Sequence, residues 1–235
     1  MAKRKKMKID PWMMSTVALL VLVLGFVGGN FFSSFTGDGT PDVDFVLGER
    51  SGGVNGSEGY GEADAPVVIK EFSDFQCPYC QRFFANTLPS IEEAYIKTGK
   101  VRIEYKDFPL GSHQNAKPAA IAARCAGAQG NYWGMHDVLF LNHEAWASSL
   151  DPKSVFKAMA KALKLNEKKF AVCLESTEFN ALIDADQAEG ARAGMTGTPG
   201  FLINGEKIVG AMPFATFQAI IDPMLNPQAE EDTVQ

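Results

Sequence analysis

Cys77-Pro78-Tyr79-Cys80 stands at the junction of a strand-like run and a helix-like run, and no other feature limits the fold as much. Before it, Pro66–Phe72 (PVVIKEF) is short, rich in β-formers and preceded by a loop, which reads as a buried strand. After it, Cys77 to about Lys97 reads as one helix, bent at Pro89 and stopped at Gly99. Val101–Phe108 (VRIEYKDF) then alternates with period two as a second strand. Strand, crossover helix and strand make a βαβ unit, which pairs its strands in parallel.

The next stretch, 115–193, is helical in pattern, with segments near 115–129, 131–143, 151–164, 166–174 and 178–193. Asp151-Pro152 supplies an N-cap followed by a first-turn proline. Asn204-Gly205 between two apolar runs, Gly200–Asn204 and Lys207–Gly210, signals a hairpin. Phe214–Leu225 is an amphipathic helix, and 227–235 is a polar tail. The order is β-α-β, a helical block, then β-β-α.

Charge divides the chain of 235 residues unevenly. Lys3, Arg4, Lys5, Lys6 and Lys8 crowd its start, whereas residues 37–235 hold 17 basic and 27 acidic side chains, a net of −10. An acidic domain argues against nucleic acid as a partner. Pro11 to Thr36 carries no charge, and a bilayer is crossed by about 20 apolar residues. The expected layout is a cytoplasmic basic segment over 1–11, a transmembrane signal-anchor over 12–35 and a flexible Gly/Ser/Asp-rich linker over 36–61. The main domain follows over 62–226. Val43–Leu47 is a candidate edge strand inside the linker. The alternative for the apolar segment is a cleaved signal peptide with Val27 and Gly29 at its cleavage site.

The placement of the cysteines has a chemical consequence. Cys77 falls at a helix N-cap, where unpaired N–H groups and the macrodipole favour an anion. Thiolates so placed have pKa values of about 3.5–7.5. Pro78 suits the first helical position. Cys80, nearly one turn on, is in reach to resolve a mixed disulfide formed on Cys77. The other readings of the motif are a structural disulfide, half of a zinc site, or a soft Cu(I) site in an exported metallochaperone. Cys125 and Cys173 lie far from the pair and from each other, and no Met or His ligand stands close by.

Three blocks together resemble one family: ADAPVVIKEFSDFQCPYC (63–80), AAIAARCAGAQGNYWGMHDVLF (119–140) and TGTPGFLINGEKIVGAMPFATFQAIID (196–222). They resemble the DsbA-like thioredoxin-fold disulfide oxidoreductases, in the membrane-anchored bacterial branch related to BdbD. The fold class implied is α/β, a thioredoxin fold with a helical insertion (115–193), preceded by one N-terminal transmembrane helix. The resemblance implies that Pro199 is a cis-proline whose loop faces Cys77 and Cys80, and that Thr198 offers backbone groups to an extended substrate. It implies that Glu71 is a buried acid beneath the site, which burial would hold protonated for exchange with Cys80. On spacing alone Glu71 is equally a solvent-facing strand carboxylate, and Thr198-Pro199-Gly200 an ordinary turn. Some members carry a structural disulfide between the helices corresponding to those of Cys125 and Cys173, which implies that bridge here; the alternative is two separate buried thiols.

The direction of electron flow is divided. Compartment and family favour oxidation of exported thiols, while Tyr79 between the cysteines and Thr198 before Pro199 resemble milder, isomerising or reducing centres. The substrates implied are thiols or disulfides of exported proteins, recycled by a membrane redox partner, with no cofactor or metal. His113, His136 and His143 read as core or surface residues, and Trp133 and Trp146 as core. Phe75, Tyr79 and Phe201 are candidates for an apolar rim around the site.

Overall fold

The computed structural model describes Leu47, Gly48, Arg50 and residues 59–226. The basic segment 1–11, the apolar segment 12–35 and the tail 227–235 lie outside the described residues. So do residues 43–46 of the candidate edge strand, and Leu47 is in no strand. No helix among the described residues is long and apolar enough to cross a membrane.

Strand β1 (Gly59–Tyr60) leads to β2 (Val67–Ser73), α1 (Pro78–Asn86), α2 (Leu88–Ile91), a π-helical turn (Glu92–Ile96) and β3 (Val101–Asp107). Six helices follow: α3 (Ala116–Gly127), α4 (Tyr132–Leu141), α5 (His143–Trp146), α6 (Pro152–Ala162), α7 (Glu167–Leu174) and α8 (Asn180–Arg192). Strands β4 (Gly200–Ile203) and β5 (Glu206–Val209) and helix α9 (Phe214–Leu225) complete the domain. The sheet order is β1-β3-β2-β4-β5. β2 and β3 are parallel, with Glu71 opposite Tyr105, and the remaining pairs are antiparallel.

Alternation along β2 divides its side chains between two faces. Val67 and Ile69 join Ile103, Phe201, Ile203, Phe83 and Phe217 in the main core. Phe72 faces the other way, in a small cluster with Phe108 and Met195. Lys70, on that same face, places its ammonium 2.7 Å from Glu189 of α8. Helix α8 can lie this close because position 190 is glycine. A Cβ there would stand 2.7 Å from both Phe72 and Phe108. The β4–β5 turn holds Asn204 and Gly205 at φ 46° and 102°, the left-handed pair that a two-residue hairpin requires.

Three expectations need correction. The helix expected to run from Cys77 with a bend at Pro89 breaks at Thr87. Proline lacks an N–H and its ring crowds the carbonyl four residues back, so the ladder ends before Pro89. Thr87 spends its hydroxyl on the Met212 carbonyl, 2.9 Å away. The segment 131–143 divides at Asn142, whose backbone leaves helical geometry (φ −115°, ψ 32°). The linker expected to run to residue 61 ends sooner. Arg50 pairs with Asp137 (2.6 Å) and Glu92 (3.0 Å), and Gly59–Tyr60 adds a strand to β3.

Candidate active site

Cys77 is the N-cap of α1, in extended backbone geometry (φ −75°, ψ 123°), with Pro78 in the first turn. Its own N–H donates to the Asp74 carbonyl at 3.0 Å, which turns the chain sharply from β2 into the helix. Its sulfur lies 3.5 Å from the Thr198 carbonyl oxygen. The Thr198–Pro199 peptide bond is cis. Cys77, Cys80, Thr198 and Pro199, separated by over 100 residues of chain, thus form one site.

Both active cysteines are thiols here, and both are buried. The Cys77 thiol is pulled down from 9.0 to about 5. The largest cause is a hydrogen bond from the Cys80 thiol; burial opposes it, and Thr198 and the N–H groups of Cys80 and Tyr79 assist. Burial is the main force driving Cys80 the other way, with the neighbouring Cys77 charge adding to it. At neutral pH the pair therefore shares one proton, held by Cys80. A thiolate ready to attack sits beside a protonated partner.

Glu71 is buried on the β2 face that carries the main core, and burial raises its carboxyl to about 7. The solvent-facing alternative does not hold. Ser73, two residues on and on the same face, is also buried. Its hydroxyl oxygen is buried with no hydrogen-bond partner among the described residues. The Asp74 N–H points at the Cys80 sulfur at 3.5 Å.

The turn before Cys77 is fastened to the helical block. The Asp74 carboxylate accepts from the N–H groups of Gln76 (2.7 Å) and Leu110 (2.9 Å) and faces His113 Nδ1 at 2.8 Å. The Gln76 side-chain amide donates to the Ala147 carbonyl (2.8 Å) and accepts from the Asn115 N–H (2.7 Å). His143 Nε2 meets the Gln76 carbonyl at 3.0 Å. Two of the three histidines thus buttress the active-site turn. His136 is buried against Asp137 among aromatic rings.

The apolar rim is not formed as expected. Phe75 is buried and stacked on Tyr105, and Phe201 is buried against Phe83. Only Tyr79 is exposed, at 54%, with the Arg82 guanidinium 5.0 Å from its ring centre. Ser73, Asp74 and Gln76 were not singled out from sequence. Ser73 carried a signal, its period-two spacing from Glu71. The long-range partners of Asp74 and Gln76 had none. Cys125 and Cys173 form a disulfide between α3 and α7. Among the described residues no three His, Cys, Asp or Glu side chains converge as metal ligands.

A family model described as thioredoxin matches residues 55–223. The chain is 30% identical over 194 residues to a protein named Na(+)/H(+) antiporter NhaA 3 from Salinispora tropica, covering 80% of this chain and 26% of that one. It is 29% identical over 150 residues to "Probable disulfide bond formation protein D" of Bacillus cereus, covering 62% and 68%. The chain thus spans about a quarter of the antiporter's length. Among solved structures, oxidised BdbD of Bacillus subtilis superposes with a TM-score of 0.66 at 22% identity, over 78% of this chain and 99% of that one. A βαβ unit whose helix opens on Cys-Pro-Tyr-Cys with both sulfurs buried, a cis-proline loop against it and a family match over most of the domain lead to one assignment: this chain belongs to the thioredoxin family, in its DsbA-like form with a helical insertion.

Proposed function

We propose that the chain is a thiol–disulfide oxidoreductase that forms disulfides in exported proteins through Cys77 and Cys80. The observation that carries this reading is geometric: Cys77 caps α1 with its sulfur 3.5 Å from the carbonyl before the cis-proline, and Cys80 lies one turn on as a buried thiol. In the oxidised enzyme a substrate thiolate attacks the Cys77 sulfur, and Cys80 leaves and takes up a proton. A second substrate thiolate then attacks the substrate sulfur of the mixed disulfide. Cys77 departs as the stable thiolate, and the substrate keeps the disulfide.

Thermodynamics supports the oxidising direction. A thiol moved from 9.0 to about 5 stabilises the dithiol form at pH 7 by about 3 kcal/mol, or roughly 60 mV for two electrons. A thiol at about 5 lies between that of thioredoxin, near 7, and that of DsbA, near 3.5. A thiolate stabilised in this way favours the oxidising reading, and Tyr79 and Thr198 keep isomerase or reductase activity as the second reading. Equilibration of the Cys77–Cys80 couple with glutathione is the test. A potential well above about −200 mV fits an oxidase, and one near −270 mV assigns a reductase.

Residues 12–35 are the membrane anchor in this reading, with the basic cluster in the cytoplasm, the domain outside the cell membrane and a membrane redox partner restoring the disulfide. The uncharged run Pro11–Thr36 behind five basic residues supports it. Protease added to spheroplasts should digest the domain, and protection of the domain inside them would refute the topology.

A further inference from the structure

When a thiolate attacks the Cys77–Cys80 disulfide at Cys77, the electron pair leaves on Cys80, and a charge forms on a buried sulfur. Burial works against that charge. A donor already aimed at the sulfur offsets the cost without reorganising during the reaction. The Asp74 N–H is such a donor, its nitrogen 3.5 Å from the Cys80 sulfur. The peptide unit that carries it is fastened at its other end, where the Ser73 carbonyl accepts from the Phe108 N–H at 2.8 Å. In a trans peptide the C=O and N–H point in opposite directions. The bond to Phe108, just past β3, therefore turns the Asp74 N–H toward Cys80.

The Asp74 side chain fixes the following link. Its carboxylate is wholly enclosed, at 0% exposure, and meets the Gln76 N–H (2.7 Å), the Leu110 N–H (2.9 Å) and His113 Nδ1 (2.8 Å). The Asp74 carbonyl accepts from the Cys77 N–H at 3.0 Å. The backbone at residue 74 is thus held from both sides, by its own turn and by the loop that follows β3. Without the carboxylate, two buried or half-buried N–H groups lose their acceptor, and the turn is free to rotate away from Cys80.

We propose that the main-chain N–H of Asp74 stabilises Cys80 as the leaving group, and that the Asp74 carboxylate is the positioning residue that aims it. The proposal rests on the oxidoreductase reading and adds to it the group that receives the charge in the first step. The substrate thiolate bonds to the Cys77 sulfur, the Cys77–Cys80 bond breaks, and its electron pair moves to Cys80. The charge of the attacking thiolate is thereby transferred to a sulfur facing the Asp74 N–H. No proton moves in this step, and Cys80 takes one from water afterwards. In the reverse step the same N–H faces the Cys80 thiolate as it attacks Cys77 and the substrate sulfur leaves as a thiolate.

The test compares two reductions by dithiothreitol, both of the full-length chain in detergent at pH 7. The first opens the Cys77–Cys80 disulfide, with Cys80 as leaving group. The second reduces a Cys77–glutathione disulfide in a Cys80→Ala background, where no bond to residue 80 breaks. Asp74→Ala should slow the first roughly tenfold, less than the loss of a whole oxyanion-hole donor costs, and leave the second unchanged. Asp74→Asn, which keeps one oxygen for the turn, should return part of the rate. His113→Ala, which removes one of the three contacts, should slow the first reaction by a smaller factor and the second not at all. If urea melts show Asp74→Ala to be unfolded, these two variants decide the question by the same comparison. An unchanged first rate overturns the proposal. Equal slowing of both reactions overturns it as well, because a loosened site would act on Cys77 and Cys80 alike. Wild-type opening no faster than that of oxidised glutathione removes the oxidoreductase reading and this proposal with it.

Discussion

The carbonyl oxygen of Thr198 stands 3.5 Å from the Cys77 sulfur, so the residue before the cis-proline closes one side of the attacking group. The β2–β4 pairing sets this distance. Glu71 lies opposite Phe201 and Phe72 opposite Gly200, which brings the turn before β4 to the carboxyl end of β2, where the helix of the active cysteines begins. The sheet register therefore positions the chemistry, and the thiolate state of Cys77 depends on neighbours that can be removed one at a time.

Removing the Cys80 sulfur should raise the Cys77 thiol, because the Cys80 hydrogen bond is the largest force lowering it. Iodoacetamide titration of the reduced wild-type chain should show a midpoint near 5. Cys80→Ala should move that midpoint upward, and Cys80→Ser, which keeps a donor, should move it less. An unchanged midpoint in Cys80→Ala would transfer the control of Cys77 to Thr198 and the helix N–H groups.

Glu71 works against the fold in neutral solution. Its folded value of about 7 exceeds the ordinary 4.5. Its contribution is therefore fully favourable below pH 4.5 and is lost as the pH rises through 7. Glu71→Gln should accordingly stabilise the protein at pH 8, by up to about 3 kcal/mol, with the gain vanishing below pH 4.5. Urea melts at the two pH values measure this directly. Equal stability of wild type and variant at pH 8 would mean that Glu71 carries no buried charge.

What was legible in the sequence followed from local rules. The strand–CPYC–helix junction, the Asn204-Gly205 hairpin and the capped helix at Asp151 each depend on neighbouring residues. The helical block is found between β3 and β4, close to where its periodicity placed it. The two-residue strand β1 and the Arg50 ion pairs depend on residues 40 to 90 positions away, and no local pattern announces them. The exposed rim was misread for a related reason. Phe75 and Phe201 are apolar residues beside a site, and only the packing of Tyr105 and Phe83 decides that they face inward. Ser73 stands between these cases, since strand alternation puts it on the same face as Glu71 but does not show that its hydroxyl is buried.

The Cys125–Cys173 bond should matter for stability and not for exchange. It closes a separation of 48 residues, worth about 4 kcal/mol in the chain-entropy model. Cys125 lies ten positions along α3 from Asn115, the residue touching the active-site turn, a distance of about 15 Å along a helix. The double variant Cys125→Ala/Cys173→Ala should lose up to that energy in denaturant melts while keeping the potential of Cys77–Cys80. A shifted potential would show that the two disulfides are coupled.

Arg124 should prove the most sensitive charged position in the insertion. It is buried, donating from Nε to Asp107 at 2.6 Å and from Nη2 to Asp186 at 2.5 Å, and so ties α3 to the end of β3 and to α8. Arg124→Met leaves two acids facing each other in the interior, and breaking a buried pair this way costs about 3–5 kcal/mol. The sign of the pH dependence follows from Asp107, already raised from 3.8 to about 6 mainly by burial and lowered by Arg124. Without the arginine its folded value climbs further, so the penalty grows as the pH rises and shrinks as the acid protonates. Melts of Arg124→Met should therefore lie closest to wild type near pH 4 and furthest from it near pH 8. Adding Asp107→Asn should recover part of the loss at pH 8 and little at pH 4. A loss independent of pH would instead assign the cost of Arg124→Met to packing of the side chain.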